Sequence, residues 1–210
     1  MSERFEKLPR EKQLRILNAS FKQFAENGFE KASTNEIVKE AGIGKGMLFY
    51  YFGSKKELYD YLMNYALDTF MEQFLNTIDD TIYDLLDRIT HISRLKMKFY
   101  MKYPELSKFI TSELLRGDMK LSDELNEKLN RVIQIGNSKM YDHLTVYEDQ
   151  LREGIDGKKV YRIIEWVIQG YQNDLLQMIK GKNIEEVDFN QYWEEFEEYL
   201  KILKTSFYKE

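Results

Sequence analysis

The chain has 210 residues, 43% of them hydrophobic, a formal net charge of −5 at pH 7, two prolines and no cysteine. The missing cysteine excludes disulfides and thiolate metal sites, and the longest clearly apolar run, MLFYYF, is far short of the roughly 18 residues a membrane-spanning helix needs. With only Pro9 and Pro104 to interrupt helices, and no alternating β-branched runs bounded by turns, the composition predicts an all-α protein. The opening MSERFEKLPREK mixes both charge signs without an apolar core, so a secretory signal is not expected and a cytoplasmic location is.

Pro9 lies near the start of the first helix, in which Leu14, Leu17, Phe21, Phe24 and Ala25 recur at helical spacing until Asn27-Gly28 supplies a cap. Phe29, just past that glycine, is expected to fold back onto the helix. Ser33 and Glu36 have the Ser-x-x-Glu spacing of a capping box, so a second helix starts there. Ile37, Val38 and Ala41 form its buried stripe, and Gly42 ends it. After Gly44-Lys45-Gly46 the pattern is helical again, with Leu48 and Phe52 on its inner side. At 100° per residue the opposite side carries Gly46, Met47, Phe49 and Tyr50, large groups that the core does not claim. Ser54 and Glu57 form a second capping box, opening a helix with Leu58, Leu62, Tyr65, Ala66, Thr69, Phe70 and Phe74 along one face.

Asp79-Asp80 is read as the start of the next helix, with Ile82, Leu85, Leu86, Ile89, Ile92 and Phe99 apolar, ending before Pro104. A shorter helix runs from Pro104 to about Arg116, closed by Gly117. A long one follows over about 122–148, then one from about Val160 that Gly181 ends, then a last one from about Glu185 carrying Phe189, Trp193, Phe196, Leu200, Leu203 and Phe207. Nine helices result.

A helix, a glycine-bearing turn and a second short helix make the helix-turn-helix pattern, whose second helix can enter the major groove of DNA. The string AGIGKGMLFYYFGSKKEL, with ILNASFKQFAENGFEKASTNEIVKEAG before it, resembles the DNA-binding segment of the TetR (tetracycline repressor-like) family of bacterial transcription regulators over about residues 10–60. The resemblance implies a homodimeric regulator, a repressor, in which residues 1–54 bind a palindromic operator and residues 55–210 bind a small-molecule effector and dimerise. Carried over by motif position, Thr34, Lys45, Gly46, Tyr50, Tyr51 and Lys55 would face double-stranded DNA. The sequence departs from the family pattern at Met47, where threonine is common, and at Phe49, where tyrosine is; each departure removes a hydroxyl and points toward more apolar contact. Packing on the first helix is the competing reading for Phe49, Tyr50 and Tyr51.

Charge placement is compatible with this. Residues 1–60 carry 11 Lys and Arg against 9 Asp and Glu, while the remaining 150 carry 20 against 27. Neither His91 nor His143 lies three residues after a glutamate, and no P-loop is present, so neither an enzyme, a metal nor a cofactor is expected. A stretch of α-helix bearing Met97, Phe99, Tyr100, Met101 and Tyr103 has more aromatic and thioether groups than one core stripe absorbs. Phe70, Phe74, Met97, Tyr100, Met101, Phe109, Met140, Tyr141 and Trp166 are therefore the expected lining of an effector cavity. A flat, lipophilic, cationic compound is the favoured ligand and a fatty or acyl compound the alternative. Control by a protein partner, with no cavity, is the rival mechanism. The resemblance places the dimer interface on the last two helices, with Ile164, Ile168, Gly170, Tyr171 and Leu175 on one and Trp193, Phe196, Leu200 and Leu203 on the other.

Overall fold

The structure, a computed structural model, describes residues 3–44, 46–82, 85–117, 119–141, 148–179 and 189–209; the side chains of Leu85, Met140, Tyr141, Leu176, Ile179, Phe189 and Asn190 lie outside that description. Among the described residues there are ten α-helices and no strand beyond one antiparallel bridge between Leu151 and Tyr208. The helices are α1 (Glu3–Glu6), α2 (Arg10–Lys31), α3 (Thr34–Glu40), α4 (Met47–Phe52), α5 (Lys55–Gln73), α6 (Leu85–Lys102), α7 (Pro104–Arg116), α8 (Asp123–Tyr141), α9 (Gly157–Ile179) and α10 (Phe189–Phe207). The all-α expectation holds. The additional helix is α1, a single turn that owes its place to Phe5, 1% exposed in an otherwise charged stretch.

Local signals act where the sequence puts them. Ser33 Oγ accepts from the Glu36 N–H at 3.3 Å and Ser54 Oγ from the Glu57 N–H at 3.1 Å, satisfying one orphan donor at each helix start. Gly28 breaks α2 with φ 67°, and past it Phe29 stacks on Phe24 at 6.4 Å. Gly53 ends α4 with φ 77°, and a Cβ there would lie 2.5 Å from Glu57 Oε2, so this turn requires glycine. The helix expected from Asp79-Asp80 starts later. Asp79 Oδ1 accepts from the Thr81 N–H and hydroxyl at 2.9 and 2.7 Å, an aspartate turn that competes with helical bonding, and α6 is described only from Leu85.

Packing divides the chain into two compact units, Met1–Thr77 with Met97–Gly136, and Ile78–Lys96 with Asn137–Glu210. In the first unit α7 lies along α2. Phe109, 0% exposed, sits 5.3 Å from Phe21, 6.4 Å from Phe24 and 5.8 Å from Tyr59. Beside it the buried Glu113 carboxylate accepts from the Tyr59 hydroxyl and pairs with Arg116, which donates to the Phe24 carbonyl at 3.2 Å and to the Ala25 carbonyl. A buried charge is tolerable only when so paired, and here its partner Arg116 also satisfies carbonyls freed by the break at Gly28. The helix-turn-helix head is thus part of a unit larger than residues 1–54.

Two groups of expected site residues are core instead. Phe109 belongs to the aromatic cluster just described, not to a cavity wall. Phe70 and Phe74, 5.0 Å apart, close on Phe99 at 5.4 and 6.1 Å. Because Phe99 and Tyr103 take the inward side of their turn, at a ring distance of 5.2 Å, Tyr100 and Met101 face outward, with Met97 half-buried. In the second unit Trp166 is exposed, and the Met140 and Tyr141 side chains lie outside the described residues.

The expected dimer stripe is likewise the packing face of the second unit. Ile164, Phe196 and Leu200 join Leu86, Leu151, Val160 and Tyr208 in its core, with Ile168, Tyr171, Trp193 and Leu203 packed against them, and Leu175 is buried as well. An apolar stripe of 3.6-residue period buries itself against whatever lies nearest, here α6 and the facing helix of the α9–α10 pair. Gly170 alone of the expected set is exposed, with open space where a Cβ would stand. The histidine is structural too: His91 Nε2 accepts from the Asp79 N–H at 3.1 Å, while His143 lies outside the described residues.

Candidate nucleic-acid interface

The short helix α4 is held from within by Leu48 and Phe52, 1% and 5% exposed. Its other side is open: Gly46 is exposed, Met47 half-buried, and the rings of Phe49 and Tyr50 are 45% and 54% exposed. This is the face that a 100° rotation per residue predicts. Thr34 is half-buried in the first turn of α3, and Lys45 lies outside the described residues.

Two expected contacts turn away from the open face. Tyr51 is 5% exposed, its ring 6.2 Å from that of Phe5. Three residues beyond Leu48, it falls on the inward flank of α4, and α1 covers it. Lys55 donates to the Glu30 carbonyl at 3.1 Å and lies 5.2 Å from the Phe29 ring centroid, closing the end of α2. Sequence reasoning missed Arg4, whose guanidinium lies 4.6 Å from the Tyr50 ring centroid. The available signal was Phe5, a lone aromatic among charged residues.

A groove of about 700 Å³ runs beside this face, lined by Arg4, Tyr50, Tyr51, Glu57, Tyr61 and Lys128 among others. Burial, and secondarily the Glu6 charge, push the Tyr61 phenol up to about 12. Its proton is held in the folded protein above the pH near 10 at which an unfolded tyrosine loses it. This contribution to stability is therefore complete below pH about 10 and is lost as the pH rises to about 12. Comparing urea midpoints of wild type and Tyr61→Phe across that range should show the steeper alkaline loss in wild type.

No group of histidine, aspartate and glutamate side chains among the described residues is arranged to hold a metal ion. No helix described is long and apolar enough to cross a membrane. A capped helix, a glycine turn and a second short helix presenting an unclaimed aromatic face define a helix-turn-helix motif. Residues 16–62 match the family described as bacterial regulatory proteins, tetR family. It is 32% identical over 118 residues to the HTH-type transcriptional regulator RutR of Escherichia coli (strain K12), an alignment covering 56% of this chain and 55% of that protein. The chain thus spans little more than half the length of that relative. A crystal structure of a TetR family transcriptional regulator from Chloroflexus aurantiacus J-10-FL shares the fold at a TM-score of 0.65 and 20% identity, covering 99% of this chain and 98% of that one. The Bacillus subtilis regulator FadR, solved in complex with stearoyl-CoA, shares it at 0.53 and 19% identity, covering 90% and 96%.

Proposed function

We propose that the protein is a homodimeric, DNA-binding transcriptional repressor, with residues 1–54 reading a palindromic operator and the remainder dimerising and sensing an effector. The observation that carries this is the pair of rings, Phe49 and Tyr50, left exposed on a short helix whose other side is locked into the core. Tyr50 can donate to phosphate, both rings can lie on sugars or thymine methyls, and Gly46 permits close backbone approach. Lys45, at the start of the same segment, supplies a cation for a guanine edge or a phosphate. Selection of bound fragments from the protein's own genome, followed by titration of the enriched duplex, tests the reading. Tyr50→Ala should weaken binding by about 1–3 kcal/mol without altering stability, whereas Tyr51→Ala should lower the unfolding midpoint first. Equal affinity of Tyr50→Ala and wild type would remove this residue from the interface.

A single reading helix covers too few base pairs for specificity, so a two-fold pair is required. With the inward stripes of α9 and α10 already buried, the second copy is met by their outer faces. Trp166 and Gly170 lie one turn apart on α9, and Tyr199 and Ile202 are near neighbours on α10. These four replace the inward residues as the proposed dimer contacts, Gly170 being common to both sets. Trp166 and Ile202, 63% and 60% exposed, are the most exposed large apolar groups there.

For the effector, the fold is one that accommodates stearoyl-CoA in FadR, which favours a fatty or acyl compound over a flat cation. Closure of Phe70, Phe74 and Phe99 on one another favours the rival mechanism, control by a protein partner. Release of the selected duplex by acyl compounds separates the two. No release by any chain length would leave the protein-partner reading.

A further inference from the structure

We propose that α1 is a second DNA-contacting element, in which Arg4 delivers its guanidinium to a backbone phosphate next to the bases faced by α4. The inference rests on the DNA-binding reading above and extends it to a segment outside the matched residues 16–62.

A helix of four residues cannot sustain itself in water, so something must hold α1 in place. The holding group is Phe5, whose ring lies 4.8 Å from Phe52, 5.4 Å from Tyr61 and 6.2 Å from Tyr51. Two of those partners belong to α4 itself, so the arm is registered directly on the reading helix. Anchoring Phe5 fixes its neighbour, and Arg4 sits with its guanidinium over the Tyr50 ring at 4.6 Å.

Arg4 is exposed, and among the described residues it forms no ion pair. Three other cations of the head are engaged: Lys22 pairs with Glu40, Lys56 with Asp60, and Lys55 donates to the Glu30 carbonyl. Stacking on an aromatic face occupies the flat side of a guanidinium and leaves its in-plane N–H fork available, the geometry that suits a phosphate. Of the flanking acids, Glu6 exerts its charge on Tyr61, and Glu3 lines the same groove as Arg4 and Tyr50. With Glu3 and Glu6 against Arg4, α1 carries a net −1, but it presents its cation beside the exposed ring of α4. Phosphate contact depends on that local placement.

The test uses the full-length protein and a duplex that wild type selects from a random-sequence pool, titrated over a range of salt concentrations. Each phosphate contact adds about 0.9 to the slope of log affinity against log salt, so Arg4→Gln should flatten the slope by about 0.9 per protomer. Arg4→Lys should retain most of it, and circular dichroism should show both variants folded. A wild-type slope in Arg4→Gln overturns the role of α1 while leaving the DNA-binding reading intact. A wild-type protein that enriches no duplex overturns both.

Discussion

Replacing Phe109 with alanine should lower the free energy of unfolding by about 3–5 kcal/mol, the range for removing a fully buried aromatic ring. The ring is 0% exposed and touches Phe21 and Phe24 on α2 and Tyr59 on α5, three groups held by two helices. The site cannot collapse easily: Glu113, one turn further along α7, is fixed to Tyr59 and Arg116, and Arg116 is fixed to the carbonyls of α2. A cavity should therefore remain. Because α7 braces α2, against which α3 packs, the variant should also lose DNA affinity at temperatures where the wild type retains it. Urea unfolding followed by circular dichroism measures the first effect. A loss below about 1 kcal/mol would mean that α2 and α7 close the gap.

The pair Ile202→Glu and Ile164→Glu should separate assembly from folding. Ile164 is 0% exposed in the core of the second unit, so a carboxylate there is buried without a partner and should cost more than about 4 kcal/mol, enough to unfold a marginal protein. Ile202 is 60% exposed on the outer face of α10, where glutamate costs the protomer little. At the centre of a dimer contact the same charge should cost about 2 kcal/mol or more per side and leave a folded monomer. Light scattering and circular dichroism on both variants read the difference. A dimeric Ile202→Glu would move the interface elsewhere.

The helix-turn-helix head was legible because its signals are local. Ser33 with Glu36, Ser54 with Glu57, and the glycines at 28 and 53 each act within one turn of chain, and each does what its spacing implies. The open side of α4 was equally legible, since helical rotation alone assigns Gly46, Met47, Phe49 and Tyr50 to one face. Asp79 was misread because an aspartate at a helix start and an aspartate in a turn look alike until the Thr81 donors are placed.

Residue pattern by itself thus determined the all-α class, most helix boundaries and the open face of α4. Which apolar stripe meets which neighbour was decided by tertiary structure alone. Periodicity reports that Ile164, Phe196 and Leu200 must be buried, but the hydrophobic effect is non-directional, and burial inside the protomer satisfies it as well as burial against a second copy. Phe109, Tyr51 and Lys55 changed roles for a similar reason. Their partners Phe24, Phe5 and Glu30 lie between 25 and 85 positions away in the chain, where no local pattern reaches.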